Sequence, residues 1–411
     1  MSFISNRSKY AVNPLREDDG IVIRLRKEGK DVISLSIGDP PRYFQTPKYI
    51  VDAYIEALRE GHTGYSQAEG APELRDAVAM RYNRTYGSKM TGSDVIITQG
   101  ISEALAIMNS ALINQGEYGV LFRPYYVQYI ANLKLHGGNP IMCNYDEKNN
   151  WNVNTDELET ALRKMKFAGK INKIKYLLLT NPNNPTGTVL ERKVLEKIMD
   201  IANDYGIFII SDEIYDEITY NGASFTSVAE VARGIPHAIL NGASKNFDAT
   251  GFRLGFVMIP ENDERSILLK NKLVEYAAVR LSANAPAEYA MAKALGDAKA
   301  HAAAVTHMRT EIEDRVNYAI SLLEKNPYLQ TIRPNGAFYI FPRVDLKALG
   351  FGTDKEFTDA LLNEEYVQLV RGSGFGMPSH IRIVCLAPKE ILGNAINKLN
   401  SFCERHANGK D

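Results

Sequence analysis

Residues 174–215 read "IKYLLLTNPNNPTGTVLERKVLEKIMDIANDYGIFIISDEIY". "IKYLLLT" (174–180) is an apolar run that stops at turn residues, as a buried strand does. "NPNNPTG" (181–187) is dense in the residues that form turns. "LERKVLEKIMDIANDYG" (190–206) spaces its apolar residues as one face of a helix, and Gly206 closes it. "IFIISDEIY" (207–215) is a second strand. Strand, turn, helix and strand in this order predict an α/β layer built on a mainly parallel sheet. In such sheets ligand-binding groups gather at the carboxyl ends of the strands.

The same alternation extends outward. "DVIIT" (94–98), "YGVLFRP" (118–124) and "HAILNGAS" (237–244) read as strands, and "SEALAIMNSALINQ" (102–115) and "YYVQYIANLKLHG" (125–137) as helices. Past this region the texture changes. Residues 285–326 predict one long helical stretch that bridges to a smaller α+β region. That region holds "GAFYIFPRV" (336–344), "YVQLVRGSGFG" (366–376) and "HIRIVCLAP" (380–388). "VISLSIGDPP" (32–41) is expected to fold back onto it. The division expected is 1–45 as an N-terminal part of the small domain, 46–305 as the large domain and 306–411 as the small C-terminal domain.

The 411 residues are enough for a large core, and 45% apolar with 24% charged residues is ordinary for a soluble globular chain. Lys and Arg number 48 against 49 Asp and Glu, so no basic field speaks for nucleic acid or an anionic membrane. No apolar run reaches the ~18 residues of a membrane span. Cys143, Cys385 and Cys403 are far apart and form no CxxC pair. A reduced, cytoplasmic protein without a disulfide framework is expected. The histidines have no metal-ligand spacing, so no metal site is expected.

Several polar features fall just after apolar strands. Asp212 and Glu213 sit at the mouth of "IFIIS", where a carboxylate is costly without a positive partner. "TQGISEAL" (98–105) opens a helix through Gly100 with Ser102 at the expected N-cap, a ready anion site. "GSGFGM" (372–377) fails the dinucleotide pattern at its last glycine and reads as a flexible turn near a ligand. Arg382 alternates with apolar neighbours on a strand, which suits bidentate capture of a carboxylate or an edge pairing with a nearby acid. "NGASKNFDATGFRLG" (241–255) places Lys245 and Arg253 eight residues apart with Asp248 as the sole carboxylate between them. Alone, each feature is also an ordinary turn, cap or surface charge. Their conjunction, with the aromatic loop "PYYVQY" (124–129), supplies an amine, an acid and a phosphate cup. Pyridoxal phosphate requires that set.

With "NPNNPTG", "SDEIY" and "SKNFDATGFRLG" in this order, the chain resembles the class I/II aminotransferases, pyridoxal-phosphate enzymes of fold type I. The resemblance runs from "SIGDPP" to "HIRIVCLAP", nearly the whole chain. "IGDPP", "VRLSANAPAEYA", "PNGAFYIFP" and "GSGFG" bring it nearest the alanine aminotransferase branch. The resemblance implies that Lys245 holds the cofactor covalently and moves protons, and that Asp212 pairs with the ring nitrogen. Tyr215 and Asn184 would bond the ring's phenolic oxygen. Arg253, Ser102, Ser244 and the backbone at Ile101 would hold the phosphate, and Tyr126 would stack on the ring. Tyr65 would reach the phosphate across a homodimer interface. Arg382 would grip the substrate α-carboxylate, helped by Asn184 and the backbone at Gly38.

The implied activity is ping-pong transfer of an amino group from an L-amino acid, alanine above all, to 2-oxoglutarate. Aspartate or broad aromatic specificity, and a C–S lyase on the same fold, stand as alternatives. Arg42 and Arg280 are candidates for a distal carboxylate, with Tyr43 and Phe44 as pocket walls; all four also read as surface charges and core aromatics. Two positions depart from the family pattern. Gly242 stands where many relatives carry a serine, which removes one hydroxyl from the cup, and Val127 follows Tyr126 where proline is common.

Overall fold

In the computed structural model, which describes residues 3–409, the apolar runs pair into one eight-stranded sheet. Its strands are β1 (Val95–Thr98), β2 (Tyr118–Arg123), β3 (Asn139–Asp146), β4 (Asn152–Val153), β5 (Ile174–Thr180), β6 (Phe208–Asp212), β7 (His237–Gly242) and β8 (Gly255–Met258). The order is β1-β8-β7-β6-β5-β2-β3-β4. The five strands from β7 to β3 run parallel, since helical crossovers join them. β8 runs antiparallel between β1 and β7, and β4 is antiparallel to β3.

Successive strand residues point to opposite faces, and each face has its own helices. The helices are α1 (Pro72–Tyr86), α2 (Ile101–Leu112), α3 (Val127–Leu135), α4 (Arg192–Asp204), α5 (Glu264–Val279), α6 (Ala285–Gly296) and α7 (Ala298–Leu323). Ile97, Leu177, Ile209 and Ile239 pack with Leu74 of α1, Ile198 of α4 and Met291 of α6. Ile96, Leu178, Ile210 and Leu240 pack on the other face with Leu105 and Met108 of α2 and Leu273 of α5.

A second core joins Leu35 and Phe44 to Met308 and Ile312 of α7 and to Ile383 and Leu399. Beside it stand β9 (Tyr339–Ile340), β10 (Val370–Arg371) and β11 (Ile381–Val384), with β11 in the middle of an antiparallel sheet. Ile33–Ser34 pairs in parallel with Val367–Gln368. The N-terminal stretch therefore folds back as its sequence suggests.

Two local expectations are corrected and a third is given its form. The stretch 285–326 is two helices rather than one, because Asp297 ends α6 and its carboxylate caps α7 by accepting from Ala300 N at 2.9 Å. The N-cap of α2 is Gly100, at φ 76, and Ser102 is the helix's second residue. "GSGFG" is a short 3-10 turn, Gly372–Phe375, that packs under the aromatic loop: Tyr125 N donates to Phe375 O at 3.1 Å. Among the described residues no helix is long and apolar enough to cross a membrane, and no cluster of metal-ligating side chains occurs. The three cysteines are free and buried.

Candidate active site

The carboxyl ends of β2, β5, β6 and β7 open into one cleft of about 400 Å³. Ile101, Ser102, Tyr126, Asn184, Asp212, Tyr215, Ser244, Lys245, Arg253, Arg382 and Gly38 all line it. These are eleven of the twelve residues picked from the sequence. The twelfth, Tyr65, is 82% exposed and does not line the cleft.

Asp212 ends β6 and is buried at the cleft floor. Its Oδ2 accepts from the Tyr129 hydroxyl at 2.6 Å, and its Oδ1 from Ile214 N at 3.2 Å. Tyr129 is bonded in turn to Thr180 Oγ1 at 2.8 Å. Burial pushes the Asp212 carboxyl up to about 6, against the pull of Tyr129, the Ile214 amide and Lys245. A cationic partner at the floor would favour the anion. Glu213, beside it in sequence, points away and is fixed by Ser211, Ser227 and the Val228 amide. It is a buried structural acid.

Lys245 lies in the turn after β7. Its Nζ donates to the carbonyl of Gly38 at 2.6 Å. Burial draws the amine down to about 8, assisted by Arg382 and Arg253 and opposed by Asp39 and Asp212. Burial is the largest of these causes. A lysine near 8 has a usable neutral fraction at neutral pH, unlike an ordinary lysine at ~10.4.

At the other end, the free N–H groups of α2 meet Ser102, Ser244 and Arg253. Arg253 holds a left-handed backbone at φ 55, which turns its side chain toward α2. Its Nη1 donates to Thr250 O at 2.9 Å and its Nη2 to Gln99 O at 3.3 Å. Glycine suits position 100 because φ 76 with ψ 170 is a backbone conformation that other residues rarely adopt. Gly242 is no part of this cup. It does not line the cleft, and a Cβ there would lie 2.5 Å from Leu254 O on the chain entering β8. The hydroxyl expected to be missing has no room in this sheet. Val127 is the buried first residue of α3 and leaves Tyr126 free to face the cleft.

Arg382 is 1% exposed in the middle strand β11, so the edge-strand reading is excluded. Nη1 donates to Asn184 Oδ1 at 3.0 Å, Nη2 donates to Ser36 O, and Nε is buried without a partner. The guanidinium lies between the rings of Tyr339 and Phe375, 4.7 and 4.8 Å from their centres. Among the described residues no carboxylate pairs with it. A buried, unpaired guanidinium is costly, and a ligand carboxylate reaching it would remove that cost.

Of the distal candidates, Arg42 lines the cleft mouth and pairs with Asp39 at 3.3 Å. Arg280 does not line this chain's cleft: it pairs with Glu103 at 2.8 Å and donates to Ile97 O at 2.7 Å. Phe44 is a buried core residue, with Arg315 over its ring at 4.5 Å, and Tyr43 packs on the same core. Sequence reasoning missed Tyr129, Tyr339 and the N-terminal pair Leu15 and Arg16, all of which line the cleft. The spacing of Tyr126 and Tyr129 was a usable signal, since residues three apart share a helix face. Tyr339 joins the floor through its hydroxyl, 2.8 Å from that of Tyr215.

The donor set suits one ligand with an anionic end, a cationic ring atom and a carbonyl. An N–H and hydroxyl cup faces the first, Asp212 the second and a lysine amine the third. Residues 30–399 match the family model of aminotransferase class I and II. An asparagine–oxo-acid transaminase from Streptococcus mutans is 33% identical over 93% of this chain and 94% of its own length. A glutamate-pyruvate aminotransferase from Haemophilus influenzae is 33% identical over 92% of each. A solved alanine aminotransferase from Pyrococcus furiosus superposes with a TM-score of 0.91 at 34% identity, over 98% of this chain and 100% of that one. Relatives called aspartate aminotransferases match at similar identity. The chain belongs to the aminotransferase class I and II family. It is a pyridoxal-phosphate-dependent transaminase that acts on small-molecule substrates.

Proposed function

We propose that this enzyme moves the amino group of L-alanine to 2-oxoglutarate, with the site residues in the roles that follow. When bound, pyridoxal phosphate supplies an aldehyde for an amine and a ring that draws electrons from the reacting carbon. Lys245 Nζ would hold the cofactor and is the amine placed to take the proton from the substrate Cα. Asp212 would supply the negative charge that keeps a ring nitrogen protonated, with Tyr129 holding the carboxylate. Tyr215 and Asn184 would hold the phenolic oxygen, and Tyr126 would hold the ring. Ser102, Ser244, Arg253 and the first amides of α2 hold the phosphate. Arg382 would orient the substrate by its α-carboxylate, helped by Asn184 and the backbone at Gly38.

The observation that carries the substrate choice is the Arg42–Asp39 pair at the mouth. Its side chains are 49% and 31% exposed, so opening it costs at most about 1 kcal/mol. Closed, it presents a neutral wall suited to a methyl group. Open, it offers a guanidinium to the distal carboxylate of 2-oxoglutarate, while Thr250 Oγ1 keeps Asp39 in place at 2.7 Å. One wall thus serves both halves of the exchange. The names of the Haemophilus and Pyrococcus relatives support the same choice.

The test is an amino-donor screen with 2-oxoglutarate, read by the loss of the lysine-bound cofactor's visible absorbance. Alanine is expected to lead; an aspartate-only or aromatic-only response overturns the proposal. Product formation that does not need 2-oxoglutarate would indicate a lyase instead. We also propose a cytoplasmic homodimer in which exposed Tyr65 completes the partner's phosphate cup. Sedimentation at working concentration and a weaker cofactor affinity in Tyr65→Phe check it.

A further inference from the structure

Behind the cleft floor lies a buried cluster of charges that takes no part in the roles above. Arg81 of α1 is 4% exposed, and its Nη2 is 2.7 Å from Asp216 Oδ2 and 2.9 Å from Glu217 Oε2. The Tyr86 hydroxyl donates to the same Asp216 oxygen at 2.6 Å. The other oxygen, Oδ1, accepts from Asn246 Nδ2. Asn246 is 2% exposed and its Oδ1 is buried without a partner, so the bond to Asp216 sets the orientation of the amide. One residue further on, the ring of Phe247 stacks on His301 of α7 at 4.5 Å, and His301 Nε2 lies 2.8 Å from Glu217 Oε2.

Asp216 follows Tyr215 directly in the chain, and Asn246 follows Lys245. The two residues clasp the turn after β6 to the turn after β7. The first turn follows Asp212 and carries Tyr215, and the second carries Lys245, the groups whose separation the chemistry depends on. Neither Asp216 nor Asn246 lines the cleft, so neither touches a substrate. Left to solvation and packing alone, a buried Asp–Arg cluster is a poor source of stability. A fixed distance between two turns is something it does supply.

We infer that Asp216 and Asn246 are a positioning pair, braced by Arg81, which fixes the Lys245 amine relative to Asp212 and Tyr215. The inference rests on the assignment of Lys245 above. Borohydride reduction of the holoenzyme followed by peptide mass mapping checks that assignment separately, because it locates the cofactor whatever the clasp does.

The test compares Asn246→Ala, Asp216→Asn, their double variant and the exchanged pair Asn246→Asp with Asp216→Asn, all as holoenzymes. Each single variant is expected to bind cofactor stoichiometrically and lose about tenfold or more in kcat with little change in KM, the signature of a displaced reacting group. The pH midpoint of the bound cofactor's absorbance change should move with it, which mere loosening of the fold would not produce. The double variant should lose no more than the worse single one, as coupled residues do. The exchanged pair restores a donor and an acceptor and should recover part of kcat. Single variants within twofold of the parent in kcat with an unmoved midpoint overturn the inference, as do additive losses in the double variant. If Asp216→Asn does not fold, Asn246→Ala decides by the same two readings.

Discussion

At the floor of the cleft, Asp212, Tyr129, Tyr215 and Tyr339 are buried and bonded to one another or to the backbone. At its mouth, Arg16 and Arg42 stand with side chains 62% and 49% exposed and only loose acidic neighbours. The floor hangs from the ends of parallel strands inside the main sheet. The mouth belongs to irregular chain near the N-terminus. The floor is fixed by buried hydrogen bonds, whereas the proposed recognition of two substrates would rest on an exposed side chain that can swing at small cost.

The comparison is broken most directly at Lys245. Lys245→Ala should lower turnover on the order of 10⁴-fold and abolish covalent cofactor, read by absorbance and mass; retained turnover would mean that the floor is not the reacting end. Asp212→Asn keeps the shape and removes the charge. It should still bind cofactor but lose about 10²–10³-fold in kcat, as electrostatic groups in closed sites do. Arg382→Gln bridges floor and mouth and should cost about 10–100-fold in kcat/KM for every amino donor alike, the range of one or two charge-assisted hydrogen bonds.

Arg42→Gln sharpens the contrast. KM for 2-oxoglutarate should rise several-fold while that for alanine stays put, and an equal loss for both would remove the proposed division of labour. The smallest effect concerns pH. Burial lowers the Lys245 amine to about 8, so the neutral form prevails above that value. Cofactor uptake by the stripped protein should quicken as pH rises and level off above about 8, whereas an ordinary lysine would level off above ~10. Stopped-flow absorbance measures it.

The floor was legible in the sequence for a physical reason. A buried parallel strand must be apolar, so Asp212, the Asn turn and Lys245 stand out as polar residues placed just after such runs. The mouth was not legible. Arg42 and Arg280 look alike in sequence, and only the fold sends one to the cleft and the other to Glu103. Tyr339 hid among 22 tyrosines, most of them unconnected with the site. Gly242 shows the opposite error, in which a real departure from pattern was assigned to the cup although its Cβ direction runs into the backbone of Leu254.

The N-terminal strap touches the catalytic floor through two carbonyls: Gly38 O takes the Lys245 amine, and Ser36 O takes Arg382. Carbonyls are the same whatever residue bears them. The strap can therefore exchange its side chains at positions such as Arg16 and Arg42 without disturbing the groups it grips. On the proposed function, such a joint would let substrate choice diverge at Arg16 and Arg42 while the gripped groups stay in place.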